Sequence, residues 1–321
     1  MLPNSSGNGK ALLTGELNLE LLNLFESGKE FNLHWRRMRE ETQSLDVAIK
    51  VPGILNSFDL AAEYFQLKED TTFVNRVARL KMIFNITPRS SFNWFTEIKS
   101  AGLLSEEQEI NSMIPENADF SLTTFGVGYS YKTFNKYNLF DDGLSLQFGL
   151  SAGKRKINQN PIFSNDIYES LDLVTSFYQL EGNGIYQKIL SKNWQFFQRI
   201  KTGFLFNKHL FSNDLFRLGG FNSLRGFNEN FFFASEFLMS NSEIRLFFEQ
   251  SSFLFAFADQ AWMTIDKNGS DVQQYPLGFG LGLQLGTRSG NFSFSYALGS
   301  SRNTSIDFNQ SKIHFGLISR F

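Results

Sequence analysis

The sequence predicts an all-β protein, a transmembrane antiparallel β-barrel with about 15 strands present of an inferred total of about 16. Three observations predict it. Segments that alternate apolar and polar residues with period two recur along the whole chain. Their apolar face is rich in phenylalanine, of which there are 38 among 321 residues. The opposite face carries glycine, serine, glutamine, lysine and arginine. A sheet with so polar an inner face cannot close over an oily core, as a soluble β-sandwich or propeller must. It can close into a barrel whose outside meets lipid and whose lumen is wet.

The elements follow in order. "SLDVAIKV" places Leu45, Val47, Ile49 and Val51 opposite Asp46, Ala48 and Lys50. "LSLQFGLSAG" (144–153) puts Leu144, Leu146, Phe148, Leu150 and Ala152 on one face, with Gln147 and Ser151 on the other. "LGFGLGLQLG" (277–286) sets five apolar residues against Gly278, Gly280, Gly282, Gln284 and Gly286, and "NFSFSYAL" (291–298) sets Phe292, Phe294, Tyr296 and Leu298 against Ser293, Ser295 and Ala297. Such alternation marks strands with one apolar side. Fifteen segments qualify: 11–18, 30–39, 44–52, 58–67, 74–86, 91–100, 120–133, 143–156, 176–189, 193–206, 235–249, 252–263, 277–287, 290–299 and 311–321. Segments 11–18 and 176–189 alternate least cleanly. Lengths of about ten residues suit tilted membrane strands. The last segment, "KIHFGLISRF", sets Ile313, Phe315, Leu317 and Phe321 on one face, interrupted at Ser319. Bacterial single-chain barrels have even strand counts, since an unpaired edge must be avoided. The opening "MLPNSSGNGK" reads as the turn after a strand. The expectation is one barrel domain over residues 1–321 whose first strand is largely missing.

Composition excludes several classes. A formal net charge of −2 gives no basic field for nucleic acid. There are no cysteines for disulfides or thiolate metal sites, and His34, His209 and His314 are too scattered to pair as metal ligands. No metal or cofactor is expected. No apolar run approaches the roughly 20 residues of a membrane helix. The N-terminus lacks the basic and apolar regions of a signal peptide. No G-x-S-x-G motif or convincing Ser/His/Asp set points to an enzyme, and "GNGKA" (7–11) lacks the spacing of a phosphate loop.

Residues 218–230 read "LGGFNSLRGFNEN". Alone, this is a surface loop with one solvated arginine. Placed about four-fifths of the way through a barrel, "LGGFNSLRGF" resembles the sixth extracellular loop of the BamA/TamA/FhaC superfamily of outer-membrane assembly and translocation proteins. That family carries (V/I/L)-R-G-(F/Y), here Leu224, Arg225, Gly226 and Phe227, in a loop that folds back into the lumen. Five strands normally follow it, and five segments follow it here. The resemblance implies acidic partners for Arg225 at Glu243 ("SEIR") and Asp259 ("FAFADQAW"). Their other reading is solvated lumen charge. "LNLELLNLFESGKEFNLHWRR" also looks like the family, so the resemblance covers essentially the whole chain. It departs where Asp259-Gln260-Ala261 replaces an Asp-x-Gly, and in lacking the upstream POTRA repeats and signal peptide.

An arginine held in a lumen is costly unless paired, and carboxylates would fix it by charge-assisted bonds. Gly219, Gly220 and Gly226 would let the loop turn tightly. The glycines at 278, 280, 282 and 286 either leave room for the inserted loop or merely ease strand curvature. The implied function, without covalent chemistry, is insertion of β-barrel precursors into the bacterial outer membrane or passage of a polypeptide across it. The family's mechanism is opening between first and last strands, with Ile313, Phe315, Leu317 and Phe321 on one side of the gate. Implied partners are the lipid bilayer, unfolded outer-membrane or secreted clients, and accessory assembly lipoproteins. A passive porin is the alternative; an outer-membrane enzyme, or an enzymatic domain fused upstream, are further ones.

Overall fold

A computed structural model describes residues 15–38, 41–54, 58–104, 116–134, 138–161, 168–169, 171–267, 270–287, 290–302 and 305–320. Ten strands open the wall: β1 (Gly15–Leu24), β2 (Lys29–Arg37), β3 (Gln43–Ile54), β4 (Phe58–Glu69), β5 (Phe73–Thr87), β6 (Ser90–Leu103), β7 (Phe120–Lys132), β8 (Gly143–Ile157), β9 (Val174–Ile189) and β10 (Trp194–Phe206). A separate two-stranded ribbon follows, β11 (Phe216–Leu218) with β12 (Phe232–Ala234). The wall resumes with β13 (Glu236–Glu249), β14 (Ser252–Lys267), β15 (Ser270–Gln274), β16 (Leu277–Thr287), β17 (Gly290–Ser300) and β18 (Lys312–Arg320).

Sixteen strands join in one sheet. Two of them share a place: β15 pairs with the end of β14 from Met263 to Lys267, and β16 pairs with its earlier part from Phe253 to Gln260. Pro276, which has no N–H for a ladder, separates the two. The wall therefore has fifteen positions, each matching one of the alternating segments. The first is displaced. The 11–18 segment becomes β1 at Gly15–Leu24, because the tight turn after it sets its register against β2, from Gly15↔Arg37 to Leu24↔Lys29. Residues 11–14 lie outside the described residues. Sequence reading also missed the ribbon and β15, all too short to show a period.

Every neighbouring pair is antiparallel except one. Among the described residues, β1 meets β18 in parallel at Leu19↔Ser319 and Glu20↔Arg320. The next ladder, between β17 and β18, pairs seven residues from Asn291↔Ile318 to Ala297↔Lys312. The sheet thus curls into a nearly closed barrel with one thin seam.

The faces divide as alternation requires. On β7 the side chains of Phe125, Val127 and Tyr129 point outward and are exposed, while Phe120, Leu122 and Thr124 are buried inside. Phe148, Leu150, Leu281 and Phe294 are exposed outside; Leu283 and Phe292 share that face and are half-buried. Inside, Ser293 bonds Gln284 at 3.2 Å and Asn183 bonds Gln147 at 3.2 Å. Outward Trp94, Tyr129, Tyr186 and Trp194 lie towards one end of the wall, and Tyr178, Trp262 and Tyr275 towards the other. Aromatic girdles at two levels are what a bilayer's two interfaces select. β14 reverses the rule that the greasier face looks out. Phe253, Phe255 and Phe257 point inward and are buried, while Leu254 and two alanines face out.

The face assignment predicts an asymmetry. Leu281→Arg should destabilise the barrel by about 2–4 kcal/mol if it sits near the bilayer midplane, whereas Gln284→Arg should cost far less. Equilibrium unfolding in phospholipid vesicles measures both, and equal losses would contradict the assignment.

Candidate functional site

The loop between β10 and β13 does not stay outside the barrel. Its first part is fastened near the barrel end by Asn213 and Asp214. The Asn213 amide donates to the Ala118 carbonyl at 2.8 Å and accepts from the Ala118 N–H at 3.3 Å. Its own carbonyl accepts from Asn75 at 2.8 Å and Lys99 at 3.2 Å. Asp214 meets Arg155 of β8 at 2.5 Å, with both side chains fully buried beside Phe120 and Phe211. The chain then runs through the β11–β12 ribbon and reverses at Gly219 (φ 117°) and Gly220 (φ 95°), where a side chain would be strained. Ser223 accepts from the Gly219 N–H at 2.8 Å, and the Leu224 carbonyl from that of Gly220 at 3.0 Å. Leu224 and Phe227 are buried among Phe232, Ala234, Met239, Ala261 and Met263. These contacts carry residues 221–230 into the lumen.

Arg225 is 5 % exposed, and each of its three guanidinium nitrogens donates to a carboxylate. Its Nε and Nη2 donate to the two oxygens of Asp259 at 2.7 Å each, a bidentate fork. Nη1 donates to Glu243 Oε1 at 2.7 Å, and the Arg225 backbone N–H donates to Asp259 Oδ2 at 3.0 Å. The guanidinium lies 3.7 Å from the centroid of the Phe257 ring. Burial alone would lower its pKa, but the bonds to Asp259 and the charge of Glu243 outweigh this and raise it. Glu243 in turn is held from the other side by Arg245, at 2.8 and 2.7 Å. Arg245 stacks on Phe197 at 3.8 Å. The inward phenylalanines of β14 now have a reason: they supply rings under the two guanidiniums.

The structure thus brings together Leu224, Arg225, Gly226 and Phe227 with Glu243 and Asp259. Gly226 (φ 92°) presses its backbone against Leu298 and Gly299 of β17, and its N–H points to His314 Nε2 at 3.3 Å. The β16 glycines divide in purpose. A Cβ at Gly278 would fall 1.8 Å from the Arg225 carbonyl oxygen, so this glycine admits the loop. Gly280 lets the Tyr296 carbonyl of β17 come close, with the Phe257 ring beside it; Gly282 makes room for the ring of Phe255, and Gly286 for Ser251. Ile313 and Phe315 face outward and are exposed on β18; the Leu317 side chain and Phe321 lie outside the described residues.

Several partners escaped sequence reading. Arg245 shares the inward register of Glu243, which could have flagged it. Arg155 sits inward between Lys154 and Lys156, but nothing local links it to Asp214, 59 residues away.

Arg225→Ala should leave two buried carboxylates short of a partner, at about 3–5 kcal/mol for a fully buried pair. The barrel should stay folded while the loop becomes cleavable by added protease. Gly278→Ala should release the loop too, with every charge intact. An equally protected loop in both variants would show that neither contact holds it.

No curated protein matches the sequence. Among solved structures, BamA from Haemophilus ducreyi lacking POTRA domains 1–3 is similar at TM-score 0.62 and 14% identity, over 98% of this chain and 73% of that one. CdiB from Escherichia coli gives 0.63 and 14%, over 98% and 60%. CdiB from Acinetobacter baumannii gives 0.61 and 15%, over 91% and 54%, so this chain spans little more than half the length of either CdiB chain. At such identities the likeness is one of fold. The sequence itself matches the Omp85 superfamily domain over residues 23–321, nearly the whole chain, which bears out the resemblance seen in "LGGFNSLRGF" and makes this protein a member of the Omp85 superfamily.

Proposed function

We propose that this barrel inserts β-barrel precursor proteins into the bacterial outer membrane, or passes a polypeptide across it, by opening between β1 and β18. Membership of the Omp85 superfamily supports insertion or translocation at an outer membrane in general. The observation that carries the finer reading is the disparity of ladders. Among the described residues the β1–β18 seam has two residue pairs, in parallel, beside neighbouring ladders of seven and eight. Parallel pairing is also slightly weaker per residue. On opening, the edges of β1 and β18 would offer backbone groups to a client strand, which would add to the sheet by β-augmentation. The clients are unfolded outer-membrane or secreted polypeptides, delivered with or without accessory lipoproteins. A passive solute channel, the alternative, has no need for an internal arginine loop with two acidic partners. No covalent step is assigned to any residue.

The test locks the seam. Cysteines replacing Leu19 and Ser319, which face each other across it, should form a disulfide that blocks client insertion into vesicles while the barrel stays folded. Reduction should restore activity. Undiminished client handling by the locked protein would rule out lateral opening.

A further inference from the structure

The thin seam is bridged from inside by the tip of the lumen loop, and one carboxylate, that of Glu229, joins the two sides. Its Oε1 accepts the Phe221 backbone N–H at 2.7 Å. The Phe221 ring rests against β18, where a Cβ on Gly316 would come within 2.9 Å of it, and its centroid is 6.2 Å from that of His314. Its other oxygen, Oε2, lies 3.3 Å from Arg36 Nη1 on β2, beyond the seam. Asn230, next in the chain, directs its amide to the Met38 sulfur at 3.2 Å, beside the end of β2. On the β17–β18 side the Gly226 backbone is wedged against Gly299. The seating is specific: a Cβ on Gly220 would collide with the Glu229 carboxylate at 2.0 Å. Beneath this contact a lumen cavity of about 600 Å³ reaches from Glu16 and Arg36 on one side of the seam to Ser293 and Gly316 on the other.

We propose that Glu229 and Arg36 form a clasp across the seam, through which the lumen loop sets how readily β1 and β18 part. Arg36 and Glu229 are positioning residues. They need touch no client; they hold the two edges at a fixed separation until the loop shifts. The clasp is distinct from the Arg225 cluster, whose partners lie on β13 and β14, on one side of the seam only. With Arg225 anchoring the loop to that side, the Glu229–Arg36 contact reaches the far edge. The inference rests on the reading that the seam opens, and it concerns the regulation of that opening.

The experiment reads the seam directly and needs no client. In the full chain reconstituted in phospholipid vesicles, cysteines replacing Leu19 and Ser319 are oxidised mildly and the cross-linked fraction followed with time. Arg36→Ala and Glu229→Gln should each slow cross-linking, by about twofold to fivefold, the equilibrium shift that a partly exposed ion pair supports. The exchanged pair Arg36→Glu with Glu229→Arg should recover part of the loss, which a merely destabilised barrel would not. Protease protection of the loop should persist in Arg36→Ala, since the Arg225 cluster is untouched. Unchanged cross-linking in both single variants, or a loss that the exchanged pair fails to relieve, would overturn the clasp. Either result is separable from the insertion test: a locked seam that blocks insertion while these variants cross-link normally would leave lateral opening standing and remove only the clasp.

Discussion

A guanidinium withdrawn from bulk water has to be met by acceptors, and at Arg225 each of its three nitrogens finds a carboxylate oxygen. Two carboxylates from adjacent strands, β13 and β14, supply them, with a phenylalanine ring against the cation's face. Removing any acceptor leaves charge stranded at low dielectric, so the arrangement tolerates few intermediate positions. Its consequences spread outward. Glu243 needs a second cation, which Arg245 provides; Arg245 needs a surface, which Phe197 and Phe253 provide. The loop backbone must come close to β16 and β17, and Gly278, Gly226 and Gly299 allow it. A polar interaction thereby dictates an aromatic and glycine pattern on the walls around it.

Much of this was legible beforehand, for different reasons in different places. The wall strands announced themselves because a lipid-facing strand must alternate, and a signal repeated fifteen times over is hard to mistake. Glu243 and Asp259 were legible only through the arginine motif, since an acidic residue on an inward face is otherwise ordinary lumen charge. The glycines of β16 were half legible. Gly278 does admit the loop, yet Gly280 answers first to the Tyr296 carbonyl of β17 and Gly282 to the ring of Phe255, which with Phe257 points inward against the expectation that the greasier face meets lipid. Outside alanines on β14 show why: the lipid face needs only to be apolar, whereas the inner face there must pack around two arginines. Long-range pairs such as Arg155–Asp214 leave no local trace at all, because their partners meet only once the barrel has curled.

The loop is held at separated points with different physics. Near its start, Asn213 and Asp214 bind a buried backbone segment and a buried arginine on the β6–β9 side. At its middle, Arg225 binds the β13–β14 side. At its tip, partly exposed contacts reach β2 and β18. Burial falls along that path, and the strength of an ion pair as an anchor falls with it. A graded fastening lets the tip give way while the root stays in place, so motion at one end need not unfold the whole segment.

The parallel seam carries a consequence of parity. Among the described strands each hairpin reverses the chain, so the fifteen wall positions described leave β1 and β18 pointing the same way. A guest entering between these two strands, were the seam to open, could be antiparallel to both neighbours only if it contributed an odd number of strands. A single strand satisfies this, provided it runs against β18; a lone hairpin does not, since one of its edges would be left in the weaker parallel arrangement. A growing guest sheet would therefore alternate between matched and mismatched junctions with every strand it adds. Were the seam to open as proposed, direction of chain travel, as much as side-chain chemistry, would decide what it could hold.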